Sequence, residues 1–249
     1  MVVGVFFTAQ RFLESAREFK NSYSEAADCK NVFIYFYHKQ ELLDNIGLCY
    51  YKAARYDSAM NYYRMALAFI NANFMHFDKR ESVYTSAQAV VYGNMADIYI
   101  VLKNYDTAKA LLKKSIAINL QKGYTNSDAL LAQAKLADLY YNERDDANMK
   151  EVLQSIKAEL DTMPNKQVEL SWNRLMWRLY DRTNDPVNAY KYLRAYEQLN
   201  DSLSQINKLL LASDAESQMK TLERQYQINL RIKKSEYDKV YTIVATIIA

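Results

Sequence analysis

Glycine and proline are scarce, four and two in 249 residues. So few turn-formers leave little room for a strand-rich architecture with many tight turns, and the abundance of Ala, Leu, Lys, Gln and Glu favours helix. Four glycines could hardly build a GxGxxG loop, a P-loop or a nucleophile elbow, and none of these occurs. Histidine is equally rare. His38 and His76 have no HxxxH or HExxH company and read as surface or hydrogen-bonded helix residues. Cys29 and Cys49 fall on separate expected helices without CxxC spacing; they read as small buried side chains, with a disulfide between them left open, so they do not fix the compartment. An excess of one charge is missing too, since 32 basic and 29 acidic residues leave a net +3. No Lys/Arg cluster of the kind nucleic-acid binding needs stands out. The chain therefore reads as noncatalytic, without a cofactor or metal and without direct contact to nucleic acid.

What the sequence does have is a repeated apolar pattern, clearest over Gln40 to Asn73. Leu43, Ile46, Gly47 and Tyr50 form one helical face, and Tyr56, Ala59, Tyr63 and Ala66 form another. The small residues Gly47 and Ala59 let two antiparallel helices approach, and the large Tyr50 and Tyr63 fill the space around them. Between the helices, Asp57 or Ser58 is expected to cap the second. The same pattern returns with Tyr92, Met95, Ala96, Tyr99, Tyr105, Ala108, Leu112 and Ser115, and the turn KNYDTA mirrors the earlier ARYDSA. Gly123 is expected to stop that second helix. A third pair has Leu136, Ala137 and Tyr140, then Asp146, Met149, Leu153 and Ile156, starting at Asp145 or Asp146 and ending before Pro164. A fourth has Met176, Trp177 and Tyr180, then Ala189, Leu193 and Tyr196, with Asp185-Pro186 as its start signal. Many of the 22 tyrosines thus find a use in packing rather than in an aromatic-ligand site.

Leu43, Gly47, Tyr50, Tyr56, Ala59, Tyr63 and Ala66 occupy the places of the tetratricopeptide repeat (TPR) signature, which the 40–73 stretch resembles. The small-residue positions 47, 96, 137 and 177 are 49, 41 and 40 apart. Longer helices or loops between repeats must absorb the excess over 34. The expected fold is all-α, a TPR-like α-α superhelix of stacked antiparallel helix pairs followed by one long C-terminal helix. Residues 1–37 are expected to form an N-terminal helix pair, a degenerate repeat or cap, with Ala9, Phe12, Leu13 and Ala16 on its first helix and its second over residues 22–36. A trimmed signal or anchor is the alternative reading of the apolar start MVVGVFF. Residues 38–196 form the solenoid, and residues 197–240 a long helix carrying the stripe Leu199, Leu203, Ile206 and Leu210. That helix either pairs as a coiled coil in a homodimer or caps the last repeat. Residues 241–249 are apolar and uncharged, an apolar tail or the start of a transmembrane helix that acts as a membrane anchor.

The layout as a whole, TPR units, the segment YEQLNDSLSQ, a long charged helix and an apolar start, resembles the sensor part of bacterial membrane-anchored TPR regulators and sensor kinases. That resemblance implies a protein- or peptide-binding module in signal transduction or transcription regulation, with the repeats outside the inner membrane, in the periplasm. The alternative is a soluble, cytoplasmic adaptor or scaffold that assembles protein complexes. The TPR resemblance further implies a ligand groove lined by the first helix of each pair. It places Asp44, Leu48 and Tyr51 there from the first pair, Asn94 and Asp97 from the second, Asp138 and Tyr141 from the third, and Arg174, Arg178 and Arg182 from the fourth. Such a groove runs from acidic to basic. The arginines, at i, i+4 and i+8 on one face, are poised to fork onto a peptide's carboxylates, to face solvent, or to pair with a neighbouring acid such as Asp138. The Lys/Asn clamp of chaperone-binding TPRs is not reproduced.

Overall fold

The computed structural model describes residues 2–25, 32–73, 81–121 and 126–209. Among them the chain is all-α, with no strand. The helices are α1 (Val2–Glu25), α2 (Val32–Lys52), α3 (Tyr56–Asn73), α4 (Glu81–Val101), α5 (Tyr105–Asn119), α6 (Asn126–Asn142), α7 (Asp146–Thr162) and α8 (Lys166–Arg182), followed by a helical run over 186–209. Two compact units divide the chain, Met1–Leu193 and Arg194–Ala249. Within the first, helices adjacent in sequence pack on each other, and first helices of successive pairs also meet, α2 on α4 and α6 on α8. Stacking of this kind makes a TPR-like α-α superhelix. The excess repeat length sits partly in α2 and α4, 21 residues each against 17 for α6 and α8.

Every helix pair turns in the same way. The backbone N–H of Arg55 donates to the Tyr50 carbonyl at 2.8 Å, and Asn104, Asp145 and Asp185 donate to the carbonyls of Tyr99, Tyr140 and Tyr180 at 2.9 Å. These are the long-range bonds of a Schellman motif, which requires a left-handed residue just past the helix end. Ala54, Lys103, Arg144 and Asn184 supply it, at φ of 58°, 58°, 61° and 57°. With only four glycines in the chain, the strained position falls to residues that adopt it at a cost. One residue on, Asn104 and Asp145 cap α5 and α7, and Asp185 Oδ1 accepts from the N–H of Asn188 at the start of the 186–209 helix. The first pair differs from expectation here. Its second helix begins at Tyr56, so Arg55 stands at the capping place, and Asp57 and Ser58 lie inside the first turn, where Asp57 complements the helix dipole.

Packing follows the small residues. Ala59, Ala96, Ala108 and Ala137 are fully buried. Gly47 has no freedom to be anything larger: a Cβ there would meet the Tyr63 ring at 2.5 Å. Phe36, Leu43, Tyr63, Ile70 and Tyr84 build the core of the first two pairs, and Leu112, Leu130, Leu139, Met149, Ile156 and Leu175 that of the later ones. In the fourth pair Trp177, at the small-residue place, is only half-buried. The indole that enters the core is Trp172, whose Nε1–H donates to the Leu153 carbonyl at 2.9 Å and whose ring meets Tyr192 edge-on.

Two other expectations change. Residues 1–37 do not form a helix pair: Tyr23 belongs to α1, one helix through Glu25, and α2 already begins at Val32, so α1 packs on α2 as the leading layer. The second helix of the second pair ends at Asn119 with Leu120 as its C-cap, while Gly123 lies outside the described residues. Cys49 is a free, buried thiol; Cys29 and His76 lie outside the described residues, and His38 is exposed beside Tyr37. Of the C-terminal stripe, Leu199 and Leu203 are half-buried and Ile206 exposed. The rest of the expected long helix and the apolar end, residues 210–249, lie outside the described residues. Among the described residues no helix is long and apolar enough to cross a membrane.

Candidate functional site: a polar ladder on the first helices

The left-handed turn residue gives each pair a common origin. Leu48, Asp97, Asp138 and Arg178 all stand six residues before it, Tyr51 and Tyr141 three before it, and Asn94 and Lys135 nine before it. Equivalent places on stacked helices share a face, so these side chains line up across α2, α4, α6 and α8.

The structure brings them together in pairs that bridge one repeat to the next. The Asn94 amide donates to both oxygens of Asp44, at 3.0 and 2.9 Å. Lys135 Nζ lies 2.8 Å from Asp97. Arg174 and Arg178 each donate to one oxygen of Asp138 at 2.8 Å. Arg182 Nη1 donates to the Tyr141 carbonyl at 2.7 Å, and its Nη2 pairs with Asp146. The Tyr141 ring lies under the guanidinium groups of Arg178 and Arg182, 3.9 and 4.1 Å from its centroid. Of the fates open to the arginines, pairing with Asp138 is therefore the one that Arg174 and Arg178 adopt. The acidic-to-basic gradient is correspondingly blunted, because Asp138 and Asp146 lie against the basic end.

The acidic end is different in kind. Asp44 is buried, and removal from water raises its carboxyl to about 6, with the Asn94 hydrogen bond acting against that rise and the neighbouring charge of Glu41 adding to it. Further along α2 the Tyr51 phenol is pushed up by burial and by the charge of Asp97. The Tyr63 phenol is pushed up by burial first, then by the charges of Asp44 and Asp97. Its hydroxyl is fully enclosed and has no hydrogen-bond partner among the described residues. Leu48 is half-buried alongside.

Lys135 and Asp146 belong to this surface and Tyr63 is enclosed behind it, and the expected groove positions include none of the three. Lys135 carried a signal, since it holds the same place as Asn94. Tyr63 carried none, because it sits on a second helix and reaches its position across Gly47. A second concavity, about 510 Å³, opens between α7 and α8, with Leu153, Trp172, Met176 and Leu179 in its wall and Lys150 and Lys157 at its edge. It uses the opposite face of α8 from the arginines, as the two-residue offset dictates. Among the described residues no group of three or more His, Cys, Asp or Glu is arranged to hold a metal ion.

Comparison with known proteins agrees with this geometry. Residues 89–122 match the family model described as tetratricopeptide repeat, a segment made of most of α4 and all of α5. A search of curated proteins finds no match. Among solved structures the fold is similar to BtubC (BKLC) from P. vanneervenii, at 12% identity and a TM-score of 0.60, over 82% of this chain and 81% of that one. It is also similar to a variant of the Podosopora anserina putative kinesin light chain nearly identical TPR-like repeats, at 13% identity and a TM-score of 0.52, over 81% of this chain and 93% of that one. Residues 89–122 thus match a tetratricopeptide repeat and stand in a stack of helix pairs with a TPR-like fold.

Proposed function

We propose that the chain is a noncatalytic binding module that takes a protein segment or peptide along the face shared by α2, α4, α6 and α8. The observation that carries this reading is the ladder itself, a row of half-exposed charged and phenolic groups from successive first helices, held in place by bonds between repeats. Groups fixed in this way lose little further freedom on binding, and rigid presentation is what makes a polar surface selective. TPR-like folds generally present such surfaces to protein partners, which is the support the comparisons lend.

The reading is tested by probing the full chain on an array of random dodecapeptides, in parallel with Tyr141→Ala and Asp97→Ala on the ladder and Lys150→Ala on the opposite side of α8. Peptides captured by the parent chain should be lost from the two ladder variants and kept by the third. Capture that survives both ladder substitutions would contradict the reading. A membrane-anchored sensor and a soluble adaptor both use such a surface, and they differ in residues 197–249. Flotation of the full chain with phosphatidylcholine vesicles, and its sedimentation at high concentration, separate them.

A further inference from the structure

Each inter-repeat carboxylate on the ladder has a cation except one. Asp97 has Lys135, Asp138 has Arg174 and Arg178, and Asp146 has Arg182. Asp44, the most buried of them, has among the described residues only the neutral Asn94 amide. A carboxylate can accept about four hydrogen bonds, so Asp44 keeps free acceptor capacity in a place where an uncompensated charge is costly. The charges around it make this worse. Glu41 on α2 and Asp97 on α4 act on the same cluster, and Lys135 is already committed to Asp97.

Tyr63 points to the same gap independently. Its ring crosses α2 where Gly47 has no side chain, and its unpartnered hydroxyl ends in the fields of Asp44 and Asp97. An enclosed polar group without a partner is rare in folded proteins and calls for an explanation. A phenol oxygen that could accept a bond from a donor also bonded to Asp44 is one. The place offers one carboxylate, one phenol and the half-buried Tyr51 ring, too few anionic donors for a divalent metal but suited to a single organic cation.

We propose that the α2/α4 end of the groove is a receptor for one cationic side chain, the guanidinium or ammonium of an arginine or lysine in a bound peptide, seated between Asp44 and Tyr63. The inference rests on the groove reading above. It makes the ligand complete the ladder, supplying from outside the cation that the later repeats carry themselves.

The test uses the same dodecapeptide array at pH 7.5, with the full chain and its isosteric Asp44→Asn variant. Peptides bound by the parent chain should be enriched in Arg or Lys at one position. A chosen binder should lose about tenfold in affinity when that residue becomes citrulline, and about tenfold for Asp44→Asn, while thermal unfolding shows the variant at least as stable as the parent. Capture without cationic enrichment, or enrichment that survives Asp44→Asn, overturns the receptor and leaves the groove reading intact. Capture of no peptide by either chain overturns the groove reading and the receptor with it.

Discussion

Asp44 near the start of the stack and Asp138 near its end both bridge the first helices of neighbouring repeats, but by opposite means. Asp138 is half-exposed and held by two guanidinium groups, an arrangement complete in itself. Asp44 is buried and held, among the described residues, by one neutral amide, so it retains charge and bonding capacity that those residues do not use. The later interface is also backed by an indole bonded to a helix carbonyl, the earlier one by a phenol that has no partner among the described residues. A repeat fold can thus spend the same positions on cohesion at one end and leave them open at the other, because each repeat contacts only its neighbours.

The largest effect expected from this difference is at the two backing aromatics. Trp172→Ala removes a buried ring and its hydrogen bond and should cost about 3–5 kcal/mol in a denaturant titration. Tyr63→Phe, which deletes only the orphan hydroxyl, should be neutral or stabilising by up to about 1 kcal/mol; a loss as large as that of Trp172→Ala would mean that the hydroxyl is bonded after all. Next come the glycines. Gly47→Ala drives a methyl into the Tyr63 ring and should cost about 1–3 kcal/mol. Gly93→Ala, whose Cβ would meet nothing closer than the Ser115 hydroxyl at 3.8 Å, should instead gain up to about 1 kcal/mol from helix propensity. A Gly47→Ala variant that gains stability as Gly93→Ala does would show that close approach is not what Gly47 provides. The smallest effect is at the caps. Arg55→Asp gives the first turn the carboxylate that Asp145 gives the third, and should add about 1 kcal/mol by thermal unfolding. No gain would indicate that Arg55 serves another purpose.

The repeats were legible because they depend on local rules. Gly47, Ala96 and Ala137 mark helix crossings, and ARYDSA, KNYDTA and Asp185-Pro186 mark turns, each readable within a few residues. The fold followed from those markers, and the resemblance to TPRs supplied the ten expected groove positions. What was not legible depends on partners distant in sequence. Asp44 and Asp138 look alike as letters, and nothing nearby says that one meets an amide and the other two arginines. Trp172 and Trp177 are five residues apart, and only the stacking of α8 on α7 decides which enters the core. The start of α3 was misplaced because Asp57 and Ser58 are better capping residues than Arg55, yet the Schellman turn at Ala54 sets where the helix begins. The N-terminal break differs from expectation for a related reason: Tyr23 suits a second helix as well as the end of one long first helix.

The central claim, that Asp44 is a buried carboxylate held without a cation, is tested most directly by its own titration, followed by carbon NMR of the full chain with Asp44→Asn to assign the signal. The account predicts a midpoint near 6, against about 3.9 for an ordinary aspartate. A folded value above the unfolded one means that the native state binds more protons between those two pH values, so Asp44 lowers stability at neutral pH and the penalty disappears as the pH falls from 6 towards 4. Asp44→Asn should therefore stabilise the chain by about 3 kcal/mol at pH 7.5 and by less than about 1 kcal/mol at pH 4. A midpoint at or below 4, with Asp44→Asn destabilising at neutral pH, would mean that Asp44 already has its counter-charge, and the contrast with Asp138 would be lost.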